Sequence, residues 1–173
     1  MKRCNIPVGE FEERYPWRAK LRRKLSHLFS RKSNQFCKYI PDVIRPEESG
    51  YGSNIYYNST ESSLEILSHC FGIRIPNMNE VKDYIDRHPG INDIVLYAGI
   101  LTSEEFSKNS EITIELYKDT ESYNSYLVIS VRLENYDSDI DKRLDKVRDE
   151  YEDSLIGQSG WLLLKSDFKP PGR

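Results

Sequence analysis

Glu111-Ile112-Thr113-Ile114-Glu115-Leu116-Tyr117, followed after a polar interval by Tyr126-Leu127-Val128-Ile129-Ser130-Val131-Arg132-Leu133, is the stretch that decides the fold. Polar and apolar residues alternate along both runs, and β-branched and aromatic side chains dominate, so each reads as a strand with one wet face. Between them, Lys118 to Ser125 is rich in Asp, Thr, Glu, Ser and Asn, so the chain turns there. A tip at Glu121-Ser122 pairs Ile112 with Val131, Ile114 with Ile129 and Leu116 with Leu127 on the buried face. The wet face then pairs Glu111 with Arg132, Thr113 with Ser130 and Tyr117 with Tyr126. A slip of one residue sets the apolar row against the polar row, which makes the register strongly specified.

Downstream, Asp137-Ser138 offers an N-cap, and Ser138 with Asp141 forms the pattern of a capping box. Ile140, Leu144, Val147, Tyr151 and Leu155 then recur on one helical face, with mixed charges around the rest. This spacing predicts a helix over 138–156, with Gly157 placed to end it. Trp161-Leu162-Leu163-Leu164 is apolar on both parities and predicts an interior strand over 160–166, covered on both sides for part of its length.

Upstream, Ser59-Thr60-Glu61 opens a helix through Leu64, Leu67, Cys70 and Phe71 that Gly72 stops. Asn77 or Asn79 caps another, with Val81, Tyr84 and Ile85 inward and His88-Pro89-Gly90 as its end. The near-continuous apolar run Ile91 to Leu101 predicts a buried strand, and Thr102 to Asn109 one helical turn with Phe106 pointing inward. The tail from Asp167 contains two consecutive prolines and should leave the sheet without continuing it. The expected fold is α+β in two layers. A mainly antiparallel four-stranded sheet (about 91–101, 111–118, 125–134, 160–166) packs against helix 138–156 and the two upstream helices.

At 173 residues, one domain with an added arm is the natural division: a basic arm and irregular connection over 1–60, an α+β body over 61–173. Hydrophobic content of 38% and charged content of 31% fit a folded domain. Three cysteines, an odd count with no signal peptide, argue against a disulfide framework and for a reduced, cytoplasmic setting. No apolar run approaches the roughly 20 residues that a membrane span needs. Asn58-Ser59-Thr60 matches a glycosylation sequon, which has no use without secretion.

The net charge of −3 hides a split. Residues 1–38 hold eleven Lys or Arg against three Glu, a net of +8; residues 39–173 hold fourteen against twenty-five Asp or Glu, a net of −11. The positive segment carries an amphipathic helix. Pro16 suits its first turn, Trp17, Leu21, Leu25, Leu28 and Phe29 share one face, and cations crowd the rest. Three uses compete for it. Its apolar face docks on the chain's own core; its cations neutralise nucleic-acid phosphates; or it meets an anionic membrane surface or a partner protein. The candidate binding residues are Arg18, Lys20, Arg22, Arg23, Lys24, Arg31 and Lys32.

Other chemistry finds little support. The expected order helix-β-β-β-helix-β resembles the core of the PD-(D/E)xK nucleases, which implies acidic residues and Asp/Glu-x-Lys on strands to hold Mg²⁺. The third strand here reads Ser130-Val131-Arg132-Leu133-Glu134, and Glu80-Val81-Lys82, which has the spacing, falls on an expected helix. The same elements also resemble a ferredoxin-like plait, whose open sheet face often stacks RNA bases; Tyr117 and Tyr126 suit that, while Glu111 and Glu115 repel phosphate. Cys4, Cys37, His69, Cys70 and His27 lack metal-ligand spacing, and Cys70 reads as core. Nothing positions Cys37 against His69 or His88 as a nucleophile pair. Gly157-Gln158-Ser159-Gly160 is no hydrolase elbow, His88 reads as a helix-end cation, and Gly50-Tyr51-Gly52-Ser53 is no phosphate loop. Tyr51, Tyr56 and Tyr57 read as surface packing rather than base stacking.

No catalytic residue, cofactor or metal ligand is therefore assigned. The expected function is a non-catalytic intracellular interaction or regulatory module. It would meet a protein partner or a second copy through a sheet edge, the polar sheet face or the basic helix. The alternatives are nucleic-acid binding through helix 16–32 and a nuclease with a degenerate motif.

Overall fold

A computed structural model describes residues 16–30, 59–106, 110–119, 121 and 124–172, the side chains of 28–30 excepted. The arm before Pro16, Arg31 and Lys32, Cys4 and Cys37, the irregular connection with Tyr51, Tyr56 and Tyr57, and Ser122 at the hairpin tip lie outside the described residues. In chain order the elements are α1 (Pro16–Ser30), α2 (Thr60–Glu65, prolonged by a π-helical turn Ile66–Cys70), α3 (Met78–Arg87), α4 (Asn92–Glu105), β1 (Ser110–Lys118), β2 (Ser125–Leu133), α5 (Ile140–Arg148) and β3 (Leu162–Ser166). Short 3₁₀ turns at Pro89–Ile91 and Glu152–Leu155 join them. The class is α+β: among the described residues there are five α-helices and a three-stranded mixed sheet in the order β1-β2-β3.

The hairpin register is the one its alternation dictates. Ile112 faces Val131, Ile114 faces Ile129, Leu116 faces Leu127 and Tyr117 faces Tyr126. Asp119 N–H donates to the Asn124 carbonyl at 2.8 Å, continuing the ladder toward the turn. α2 starts where expected: the Ser59 hydroxyl accepts from Ser62 N–H at 3.1 Å, and Gly72 turns the chain away at φ +67°.

Several expectations about the sheet and its helix are corrected. The run 91–101 is not a strand but helix α4. Ile94 to Ile100 is buried on all sides, so no polar stripe marks the helical period, and apolar continuity alone cannot separate buried helix from buried strand. With that strand gone the sheet has three members, and the element order shared with nucleases and plaits goes with it. The strand at 160–166 is β3 and pairs parallel to β2, Leu127 with Leu162 and Ile129 with Leu164, because α5 forms the crossover between them. It is an edge strand with one open face rather than an interior one: Leu162 and Leu164 are buried, Trp161 and Leu163 exposed.

The helix expected over 138–156 is shorter. α5 ends at Arg148, and i→i−3 bonds (Glu150 N–H to Val147 O, Tyr151 N–H to Arg148 O) tighten the chain into the 3₁₀ turn that follows. Ile140, Leu144, Val147, Tyr151 and Leu155 are nonetheless all buried, since steps of three and four serve either geometry. The expected capping box does not form. Asp139 takes the cap position without a side-chain bond, and the Asp137 carboxylate accepts from Asp139 N–H at 3.1 Å.

One core joins the helices to the inner face of the sheet, and Trp17, Leu21 and Leu25 of α1 belong to it. Trp17 stacks on Tyr97 of α4 with ring centroids 5.7 Å apart. Burying each leucine contributes about 1.5–3 kcal/mol as an upper bound, enough to hold α1 against the body without its charges. At the far end of α4, Arg143 lies 4.4 Å over the Phe106 ring and donates to the Glu105 carbonyl at 2.6 Å, a cation satisfying a helix C-terminus.

Candidate interaction face

Strand parity divides the sheet into two faces. Ile112, Ile114, Leu127, Ile129, Val131, Leu133, Leu162 and Leu164 point into the core. The opposite face is a grid read across β1, β2 and β3. Glu115 stands beside Val128 and Leu163, and Thr113 beside Ser130 and Lys165. Above them Tyr117 pairs with Tyr126, and Leu127 N–H donates to the Trp161 carbonyl at 3.0 Å, which sets Trp161 next to Tyr126. The result is a row of three aromatic residues across β1, β2 and the residue that leads into β3.

This upper half of the outer face is open. Tyr117 is 47% exposed, Trp161 45% and Leu163 37%, around a buried Val128 that stands apart from the main core cluster. The Tyr117 and Tyr126 rings lie 5.1 Å apart at 38°, a cross-strand aromatic pair. Large apolar side chains gathered on one face differ from the single exposed residues that every surface carries.

The positions of these side chains are set from behind. The Tyr84 hydroxyl donates to the Ser125 carbonyl at 3.1 Å and accepts from Trp161 N–H at 3.0 Å, tying the first residue of β2 to the approach to β3. Gly160 permits that approach, because a Cβ there would lie 2.8 Å from His88 Cβ and 2.9 Å from Ile91 Cδ1. His88 Nδ1 sits 3.0 Å from Ser159 Oγ, so this helix-end histidine anchors the same loop.

The lower end of the grid is closed by charge. Arg132 donates to Asp167 from Nε at 2.7 Å, and Glu111 takes both Arg74 and the Gly172 N–H. The tail thus crosses from β3 to β1 over this end, turning at Phe168 with φ +51°. Burial works against the charged form of Asp167, yet Arg132, with Lys169 and Lys165, holds its carboxyl below the usual range. Asp167 N–H still donates to the Val131 carbonyl, after which the tail leaves the ladder as its prolines require.

The basic helix residues are placed differently from one another. Arg18 pairs with Asp93 at 3.3 Å, Lys20 with Glu150 at 2.7 Å, and Lys24 with Glu104. Burial raises the Asp93 carboxyl above its ordinary value although Arg18 and Arg22 oppose the shift. The hydrogen bond from Lys20 lowers Glu150 despite some burial. Arg22 and Arg23 are exposed, and Arg31 and Lys32 lie outside the described residues. A cleft of about 730 Å³ between α1 and α4 is lined by Lys20, Arg23, Lys24, His27, Glu104 and Glu150, with Lys20 and Lys24 matched by the two carboxylates.

Glu80 and Lys82 do fall on a helix, α3, where Lys118 and Asp86 pair with them at 2.7 Å each. Among the described residues no group of three or more His, Cys, Asp or Glu is arranged to hold a metal ion. Trp161 and Leu163 went unassigned in the sequence because the apolar tetrapeptide reads as doubly covered. The signal that finds them is the crossover length, which makes β3 parallel and terminal in the sheet. No described helix is long and apolar enough to cross a membrane. No family model, curated protein sequence or solved structure matches this chain.

Proposed function

We propose that this chain is a non-catalytic interaction module, acting inside the cell, that meets a protein partner through the outer face of its sheet. The observation that carries this reading is the row Tyr117-Tyr126-Trp161. It is held in place by the ladder and by Tyr84, and it stands on the face of the sheet turned away from the main core cluster. Rigid aromatic side chains bury much area for little lost rotamer freedom, which is why they dominate interface hot spots. Immobilised native protein and a Tyr117→Ala/Trp161→Ala variant, matched for thermal unfolding, test it. A partner that binds the native chain and a chain carrying Arg22→Glu and Arg23→Glu, but not the aromatic variant, supports the face. Equal retention by all three excludes it.

Nucleic-acid binding through α1 draws support from the exposure of Arg22 and Arg23; Arg18, Lys20 and Lys24 pair with carboxylates of the body. Its signature is a mobility shift with DNA or RNA that weakens steeply with salt and vanishes on Arg22→Glu/Arg23→Glu.

A further inference from the structure

Resting on that reading of the face, we propose the chemistry of its partner: a cationic segment of another protein, whose arginine or lysine side chain sits on the Tyr117-Tyr126-Trp161 row against Glu115. Three observations converge. The Tyr117 and Tyr126 rings lie side by side at a tilt, and Tyr117 and Trp161 are each almost half exposed. A cation over such rings is attracted by their quadrupoles, most strongly by indole.

Glu115 supplies the counter-charge. It lies two residues from Tyr117 on the same strand face, is exposed, and makes no ion pair among the described residues. The neighbouring acidic groups on this face, Glu111 and Asp167, are taken by Arg74 and Arg132, so Glu115 is the carboxylate left for a ligand. Lys165 stands one row below Leu163, at the corner of the grid diagonal to Glu115 and away from the aromatic row.

The wider field agrees. Residues 59–173 and the docked α1 (16–30) together carry eighteen basic and twenty-two acidic side chains, a net of −4, which favours a basic segment over phosphate. Size argues against a second copy. Three strands about 4.8 Å apart and three rows about 7 Å apart give a platform of a few hundred Å². That is below the roughly 800 Å² per partner that a stable dimer buries. An extended stretch of a few residues covers it.

The test is fluorescence anisotropy on the full chain with labelled peptides of alternating arginine and glycine, lysine and glycine, or glutamate and glycine, and with oligothymidylate. The expected result is saturable binding of the basic peptides and none of the acidic peptide or the DNA. Trp161→Ala and Glu115→Gln should each weaken it about tenfold, while Arg23→Ala leaves it unchanged. Both changes are at exposed side chains, and a matched unfolding midpoint confirms the fold. Binding of the glutamate peptide or the DNA that is lost in Trp161→Ala keeps the face and overturns the cation. So does concentration-dependent mass in light scattering that Trp161→Ala abolishes. Basic-peptide binding indifferent to Trp161 and Glu115, or no binding of any probe, overturns the proposal; in those cases the partner capture above decides whether the face itself survives.

Discussion

The Arg148 guanidinium donates to the Leu164 carbonyl twice, from Nε at 3.2 Å and from Nη2 at 2.9 Å. Trp161 O and Asp167 N–H point toward β2, so Leu164, of the other parity, turns its carbonyl to the outer edge of the sheet. An uncovered edge is a template for a foreign strand, and a charged side chain bound to it blocks that pairing. Arg148→Ala should cost about 1–3 kcal/mol and raise the scattering mass at high concentration relative to the native chain. Unchanged urea midpoint and unchanged mass would refute the blocking role.

Gly99 lies where α4 crosses the α2 region. A Cβ there would come 2.6 Å from Leu67 Cδ2 and 3.3 Å from Ile73 Cδ1, both fully buried side chains with no room to withdraw. Gly99→Ala therefore overpacks the core and should lower stability by about 1–3 kcal/mol, despite alanine's better helix propensity. A variant as stable as the native protein in urea would show that Leu67 can move aside.

The docking of α1 gives a contrast between its two sides. Leu21→Ala or Leu25→Ala should cost about 2–5 kcal/mol, since each residue is fully buried. Arg23→Ala, on the exposed side, should stay within about 0.5 kcal/mol. Equal and negligible effects from all three would mean that the helix adds nothing to the folded body.

Glu105 links α4 to α5. The hydrogen bond from Lys146 lowers its carboxyl below the ordinary range, burial resists, and Arg143 adds to the lowering. A carboxylate with a depressed folded value adds stability above the unfolded range of about 4.3, and that contribution is lost as pH falls through the folded value. Glu105→Gln should thus be less stable than native near pH ~7, with the gap closing near pH ~3. Urea midpoints for both proteins at the two pH values check this; a gap that persists in acid would assign the loss to packing.

The hairpin was legible because its period is strict: one face of Ile112, Ile114, Leu127, Ile129 and Val131 allows a single register, and the structure has it. The inward face of α5 was legible for the same reason, although the spacing of Val147, Tyr151 and Leu155 left the change to a 3₁₀ turn unmarked. α4 was not, because burial from every direction erases the polar stripe that separates helix from strand. Of the site, the Tyr117-Tyr126 pair followed from the register, and Trp161 did not, because it depended on whether β3 ran parallel and at the margin. The cations of α1 were visible as composition, but their engagement by Asp93, Glu104 and Glu150 is a matter of sequence-distant neighbours.

The parallel pairing of β2 with β3 also sets the order in which the molecule assembles. A hairpin closes locally, whereas β3 finds its place only after the α5 connection has been laid across the sheet. Leu127, Ile129 and Trp161 are therefore later neighbours than the pairs within the hairpin, and the aromatic surface is complete only once the crossover is in place.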